Sequence, residues 1–271
     1  MVMIAGLLLS AILAGIVGSI LGLGGGIVLV PLLTIFFEVP INQAVIISLV
    51  SIVATSLGSS TLFLEKQLTN VRVATVLELG TILGAILGVF LVTLLSPKIL
   101  FIVFGLFLIF SALQQFQQRL EVRALRNDSY AEKLKLQSFN PESGIYFVDK
   151  VPAAFAIMVG AGAISALLGI GAGAFKVMAM DRAMKLPLKV SSATSSFMIG
   201  VTAAASAIYY YTRDAIPLEL TLPVCLGALV GALLGAKLMV KLKLRTIRYL
   251  FVVALIIIGL QMLLRGLNYG F

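Results

Sequence analysis

Residues 22–31 read Gly-Leu-Gly-Gly-Gly-Ile-Val-Leu-Val-Pro, and residues 169–178 read Gly-Ile-Gly-Ala-Gly-Ala-Phe-Lys-Val-Met. Each stretch follows a long apolar run (residues 2–21 and 151–168) and opens a half-length one (residues 27–37 and 174–180). A shift of 147 residues superposes the two. It sets Gly22 on Gly169, Gly24 on Gly171 and Gly26 on Gly173. Without a gap it then sets Pro40 on Pro187, Ser48 on Ser195, Thr55 on Thr202, Gly84 on Gly231, Gly88 on Gly235 and Gln114 on Gln261. Chance matching among leucines would not hold glycine, proline and serine in one register. The chain therefore reads as a duplication: a first membrane repeat over 1–115, a linker over 116–150 and a second membrane repeat over 151–271.

Both repeats are built for lipid. Of the 271 residues, 61% are hydrophobic and 11% charged, with a mean hydropathy of +1.14. A soluble domain carries about a quarter charged residues, and a chain this apolar has no water-compatible way to bury its surface. Further apolar runs over 44–64, 71–95, 190–211 and 218–240 approach or exceed the ~20 residues of a spanning helix. The fold class is an all-α integral membrane protein of two four-segment repeats, each starting with a glycine-broken, re-entrant helix.

Charge sets the topology. If the first segment of each repeat is a hairpin that enters and leaves on one side, each repeat crosses three times and the halves are inverted. One side then collects fifteen of the twenty lysines and arginines: Lys66, Arg72, six in the linker, Arg182, Lys185, Lys189, Lys241, Lys243, Arg245 and Arg248. The other side collects Lys98, Arg213 and Arg265. Four plain spans per repeat would split the positives almost evenly. The positive-inside rule selects the hairpins, with the linker cytoplasmic and both termini outside a cytoplasmic membrane. The linker alternates charge sign and reads as a solvated helix or loop.

The same composition excludes other classes. The net charge of +9 suits loops lying against anionic lipid, and no basic patch interleaved with aromatics points to nucleic acid. There is no histidine and a single cysteine, Cys225. Zinc, haem and iron–sulfur sites lose their usual ligands, and a histidine-based triad is impossible. No cofactor, metal or enzymatic activity is expected. No strand precedes the glycines to make a dinucleotide fingerprint, and no Gly-Lys-Ser/Thr closes a phosphate loop. The apolar N-terminus lacks the positive region of a secretory signal.

A break in a membrane helix exposes backbone groups, and it survives only where protein covers it or where it lines a watery cavity. Glycine accepts φ > 0 there and admits a close backbone or ligand. The short helix after each break points free N–H groups and a positive dipole end at the tip, which is an anion site. The candidate binding residues are Gly22, Gly24, Gly25 and Gly26 at one tip and Gly169, Gly171 and Gly173 at the other. Close helix packing is the alternative reading of all of them, and the preferred one for Gly84, Gly88, Gly231 and Gly235. Ser48, Thr194 and Ser195 lie nearest the breaks and join the candidates. Ser48, Thr55 and Ser59, like Ser195, Thr202 and Ser206, share a helix face that either lines a polar path or bonds back to its own helix. Two charges stand at membrane depth, where they default to function. Lys176 complements a tip-bound anion. Glu78, matched by Cys225 in the other copy, takes a coupling proton or pairs with a lysine.

The run from Gly22 to Pro31, Pro40, and Ala44 to Leu49 resembles the sulfite exporter TauE/SafE family. The second copy, Gly169 to Ala174, Lys185-Leu-Pro187 and Ala193-Thr-Ser195, is similar to that family's second half. The resemblance implies a cytoplasmic-membrane permease exporting sulfur-containing anions such as sulfite, sulfoacetate or other organosulfonates. Ala172 and Met178 depart from the Gly25 and Pro31 of the first copy. Two further readings stand beside the carrier: an anion channel using the same helix ends, and a membrane subunit without transport. The sequence does not determine the oligomeric state.

Overall fold

The computed structural model describes residues 2–92, 94–116, 127–140, 144–213, 217–241 and 244–267. It is an all-α integral membrane protein. The first part of the chain forms α1 (Val2–Leu21), α2 (Gly26–Ile35), α3 (Ile41–Glu65), α4 (Val71–Val92) and α5 (Pro97–Phe116). A small insert follows: α6 (Ser129–Lys133) and a hairpin of β1 (Ser138–Asn140) with β2 (Gly144–Tyr146). The last part forms α7 (Val151–Leu168), α8 (Gly173–Met178) with a π-helical turn (Ala179–Ala183), α9 (Leu188–Arg213), α10 (Leu218–Lys241) and α11 (Leu244–Leu267). Among the described residues, five helices are long and apolar enough to cross a membrane: Met3–Leu21, Ile41–Glu65, Val71–Leu91, Val151–Leu168 and Leu218–Val240.

The glycine clusters do break the apolar runs. Gly22, Gly24 and Gly25 have φ of 70°, 77° and 75°, and Gly169 and Gly171 have φ of 65° and 68°. Ala172, where the first copy has Gly25, holds the same left-handed conformation at φ 47°, which costs an alanine about a kcal/mol or more. The second short helix is the shorter of the two. It runs straight into the π turn, and Lys185, two residues past that turn, has φ 57°.

The helices pair across the two halves. Helix α1 packs on α10, α4 on α7, α5 on α11, and α3 on both α9 and α10. Small residues make the closest of these contacts. A Cβ at Gly84 would collide with the Val159 carbonyl, and one at Gly231 with the Ile12 carbonyl. Gly88 faces Ala163 in the same way, and Gly235 faces Ile16. Each of these contacts maps onto another under the 147-residue shift. These four glycines therefore pack helices, as small-xxx-small spacing in a membrane leads one to expect. Side chains such as Leu9, Leu79, Leu83, Leu222 and Leu226 lie exposed on the outer faces, where lipid meets them.

The described part of the linker differs from a solvated loop. Ala131, Leu136, Tyr146 and Val148 are buried and pack with Val73, Leu77, Met180, Met184 and Met198 in a second apolar core. Asn70 holds the insert in place. Its Oδ1 accepts from Val73 N at 3.1 Å, capping α4, while its Nδ2 donates to Leu136 O at 3.0 Å and Tyr146 Oη at 2.9 Å. Asp128 caps α6 through Ala131 N at 2.7 Å and accepts from Val151 N at 2.8 Å at the start of α7. Charge alternation says nothing about this, because the buried residues are apolar ones scattered between the charges. Arg119, Glu121, Arg123, Arg126, Glu142 and Lys243, counted above in the charge pattern, lie outside the described residues.

Candidate functional site

The two tips meet. Ser48 on α3 donates to Gly169 O at 2.6 Å, and Ser195 on α9 donates to Gly22 O at 2.7 Å. Each serine thus reaches the tip belonging to the other half. Gly26 and Gly169 are so close that a Cβ on Gly26 would stand 2.8 Å from the Gly169 carbonyl, and a Cβ on Gly173 would strike the Gly22 carbonyl. Over Gly24 and Gly171 lie the side chains of Ile52 and Ile199, both buried. A side chain on Gly24 would sit 2.5 Å from Ile199 Cδ1. In this conformation the tips are sealed by their own contacts and by two isoleucines.

The first turns of α2 and α8 nevertheless present free N–H groups by helix geometry. Val28 N and Leu29 N bond back to Gly25 O, and Phe175 N and Lys176 N to Ala172 O. Buried hydroxyls without a hydrogen-bond partner stand close by in the chain: Ser19, Ser165, Ser191 and Ser196. The carbonyl of Ser165 accepts from Gly169 N at 2.9 Å, which fixes it at the second tip.

Lys176, in the last turn of the six-residue α8, is 0% exposed, and Glu78 on α4 is 6% exposed. Lys176 Nζ lies 3.2 Å from Glu78 Oε2. Thr202 on α9 closes a ring: Lys176 Nζ donates to its Oγ1, and its hydroxyl donates to Glu78 Oε1. Thr81 Oγ1 donates to the Glu78 carbonyl at 2.9 Å. A carboxylate and an ammonium at such depth are tolerable because each is paired and hydrogen-bonded. The sequence offered Glu78 either a proton or a lysine partner, and in this conformation the lysine is there.

The remaining candidates divide. Thr194 accepts from Asn70 N at 3.0 Å, so it anchors α9 to the start of α4 rather than facing the tips. Thr55, Ser59 and Ser206 donate to carbonyls four residues back, at 2.9, 2.9 and 3.1 Å. Ser48, Ser195 and Thr202 make long-range bonds, so the hydroxyl stripe bonds back to its own helix only in part. A cavity of about 440 Å³ opens between α3 and α9, lined by Val53, Ser56, Ser60, Phe197, Gly200 and Ala204 among others. Sequence reasoning did not single out Ile52, Ile199 or Asn70. The 147-residue shift sets Ile52 on Ile199, and an asparagine just before an apolar helix is an N-cap signal.

Helices broken at glycine, tips that meet and one buried charge pair beside them give this membrane protein the build of a transporter. The chain belongs to the sulfite exporter TauE/SafE family, which it matches over residues 7–262. A protein of Bacillus subtilis (strain 168) named "Probable membrane transporter protein YunE" is 28% identical over 270 residues, covering 96% of this chain and 97% of its own. No solved structure matches the chain.

Proposed function

We propose that this membrane transporter is a secondary carrier of small sulfur-containing anions such as sulfite, sulfoacetate or other organosulfonates. It exports them across the cytoplasmic membrane by alternating access around the glycine tips. The observation that carries this reading is the meeting of two glycine tips within the bundle, with Lys176 on the short helix that follows one of them. Free N–H groups, a positive dipole end and an ammonium group together favour a small oxyanion. The unpartnered hydroxyls of Ser165, Ser191 and Ser196 are spare donors for the same guest.

The tips close through one serine each and two isoleucines. Opening to either side therefore asks for the loss of few contacts at the centre. The crossed pairing of halves and the charge asymmetry of the loops support inverted repeats with a cytoplasmic linker and outside termini. Inverted repeats of this kind rock around a fixed midplane site. Glu78 is the coupling group of this scheme.

The test is counterflow in proteoliposomes. Labelled sulfite and a short organosulfonate should exchange saturably against unlabelled anion. Lys176→Ala and Gly24→Leu should reduce that exchange by about tenfold or more, the loss of one charge-assisted contact or of tip closure. Flux that does not saturate would point to a channel. Folded protein that exchanges no sulfur anion would sink the proposal.

A further inference from the structure

The proposed anion site contains a lysine whose charge is already spoken for. Lys176 is fully buried and its neighbours are Glu78 and Thr202. The elements packed around Glu78 bring few other charges. Helix α7 contains no ionisable residue, and α8 contains Lys176 alone. On α4 the other ionisable residue is Arg72, six positions before Glu78, where it donates to Lys135 O at 2.9 Å in the linker. On α9, Lys189 and Arg213 stand thirteen and eleven residues from Thr202, about 20 and about 16 Å along the helix, with Tyr209, Tyr210 and Tyr211 toward the Arg213 end. Asp181 and Arg182 follow in the π turn, more than a helical turn past Lys176. The local charge around the pair therefore sums to zero.

An arriving anion that takes Lys176 leaves Glu78 as a buried carboxylate with no cation. Two negative charges would then share one ammonium group in a medium that solvates charge poorly. We propose that Glu78 takes up one proton whenever Lys176 takes the anion, so that a monovalent anion and a proton enter the site together and it is neutral both empty and loaded. This rests on the transport reading above. The proton comes from water on whichever side the site is open and adds to a Glu78 carboxylate oxygen. Lys176 stays an ammonium and exchanges its bond to Oε2 for one to an anion oxygen. Thr202 is built for the exchange. It now donates to Glu78 and accepts from Lys176. With Glu78 protonated, it accepts from the carboxyl O–H and turns its own hydrogen to the guest.

Two consequences follow from the charge count. A dianion leaves the loaded site at −1, so among the sulfur anions the site selects bisulfite and monovalent organosulfonates over the sulfite dianion and over sulfoacetate, whose carboxylate adds a second charge. The shifted counterparts of Lys176 and Glu78 are Leu29 and Cys225, so the molecule handles one proton per anion and not two.

Methanesulfonate suits the test because it is a monoanion at every working pH, so any proton taken up belongs to the protein. Its binding to the purified full chain in detergent would be measured by calorimetry from about pH 6 to about pH 8, in buffers of different ionisation enthalpy. The expected result is about one proton taken up per anion and an affinity that falls about tenfold per pH unit. The carboxyl C=O stretch of a protonated Glu78 should appear in the infrared difference spectrum on methanesulfonate binding and be missing in Glu78→Gln, and sulfate should bind the wild type at least about tenfold more weakly. Wild-type binding that is flat with pH, no protonated-carboxyl band in the wild type on binding, or sulfate binding as tightly as methanesulfonate would each overturn the proposal and leave the transport reading standing. If neither methanesulfonate nor bisulfite binds the folded protein, both fall. Should Glu78→Gln not fold, the wild-type slope and the sulfate comparison still decide.

Discussion

A buried lysine tied to a buried glutamate has an energetic signature distinct from two independent residues. Removing either partner strands the other charge, at a cost of about 3–5 kcal/mol, whereas replacing both with apolar side chains of similar size is far milder. Lys176→Met and Glu78→Leu should each lower the thermal midpoint in detergent more than the double variant does. Additive losses would show that the two residues do not act as a pair. Both residues were legible in the sequence as charges at membrane depth, and a lysine partner was one of two readings of Glu78, but which lysine was not legible. They lie 98 positions apart on α8 and α4, and no local spacing encodes that contact. Ile52 and Ile199 were illegible for the opposite reason. Isoleucine is a default residue of a spanning helix, and only the close approach to Gly24 and Gly171 distinguishes these two.

Elements in this protein touch backbone to backbone. Gly231 on α10 meets the Ile12 carbonyl of α1, while Gly160 on α7 has nothing within 4 Å of where its Cβ would be. Gly231→Ala should therefore cost about 1–3 kcal/mol through overpacking, and Gly160→Ala should stay within about 0.5 kcal/mol. Thermal unfolding of the two variants side by side checks this. Equal effects would remove close packing as the reason for the glycine. The serine latches belong to this scale as well. Ser48→Ala and Ser195→Ala each leave a tip carbonyl without its donor, a loss of about 1 kcal/mol in the closed state. Both variants should bind a tip-reactive or tip-binding anion more readily than wild type, since opening becomes easier, and tighter closure would contradict the latch. The breaks were legible in the sequence because glycine clusters interrupt apolar runs, and so was the involvement of Ser48 and Ser195. That each serine would close the opposite tip follows from the crossing of α3 and α9, which only the assembled bundle specifies.

At the scale of the molecule, the linker insert is fastened to the second half near the π turn. Lys185 Nζ lies 3.0 Å from Asp149 Oδ2, and Asp149 N donates to Met184 O at 3.2 Å. The Lys185 ammonium hydrogen-bonded to Asp149 holds its carboxyl below the ordinary carboxylate range, with the Lys150 amide adding to the effect against a small burial penalty. The folded value is lower than the unfolded one. The stabilisation is therefore complete above about pH 4 and is lost as pH falls through the folded value. Both groups are near the surface, so the pair is worth about 0.2–1 kcal/mol. Asp149→Asn should melt slightly below wild type at about pH 6, with the gap closing as pH falls toward about pH 3. A constant gap would show that the carboxylate charge is not what matters. The membrane class was plain from composition alone, because charge and hydropathy average over the whole chain. The fold of the insert was not, since a five-residue helix and three-residue strands are too short to show any period.

The buried pair of Lys176 and Glu78 has one more consequence. Suppose the two halves were separate, identical chains associating about a two-fold axis. Every residue would then occur twice, and such an assembly would carry two lysine–glutamate rings or none. Holding Lys176 and Glu78 against Leu29 and Cys225 requires halves that differ, and one polypeptide carrying both leaves each position free to diverge. One chain whose two stretches share a sequence register can thus carry a centre that is present once.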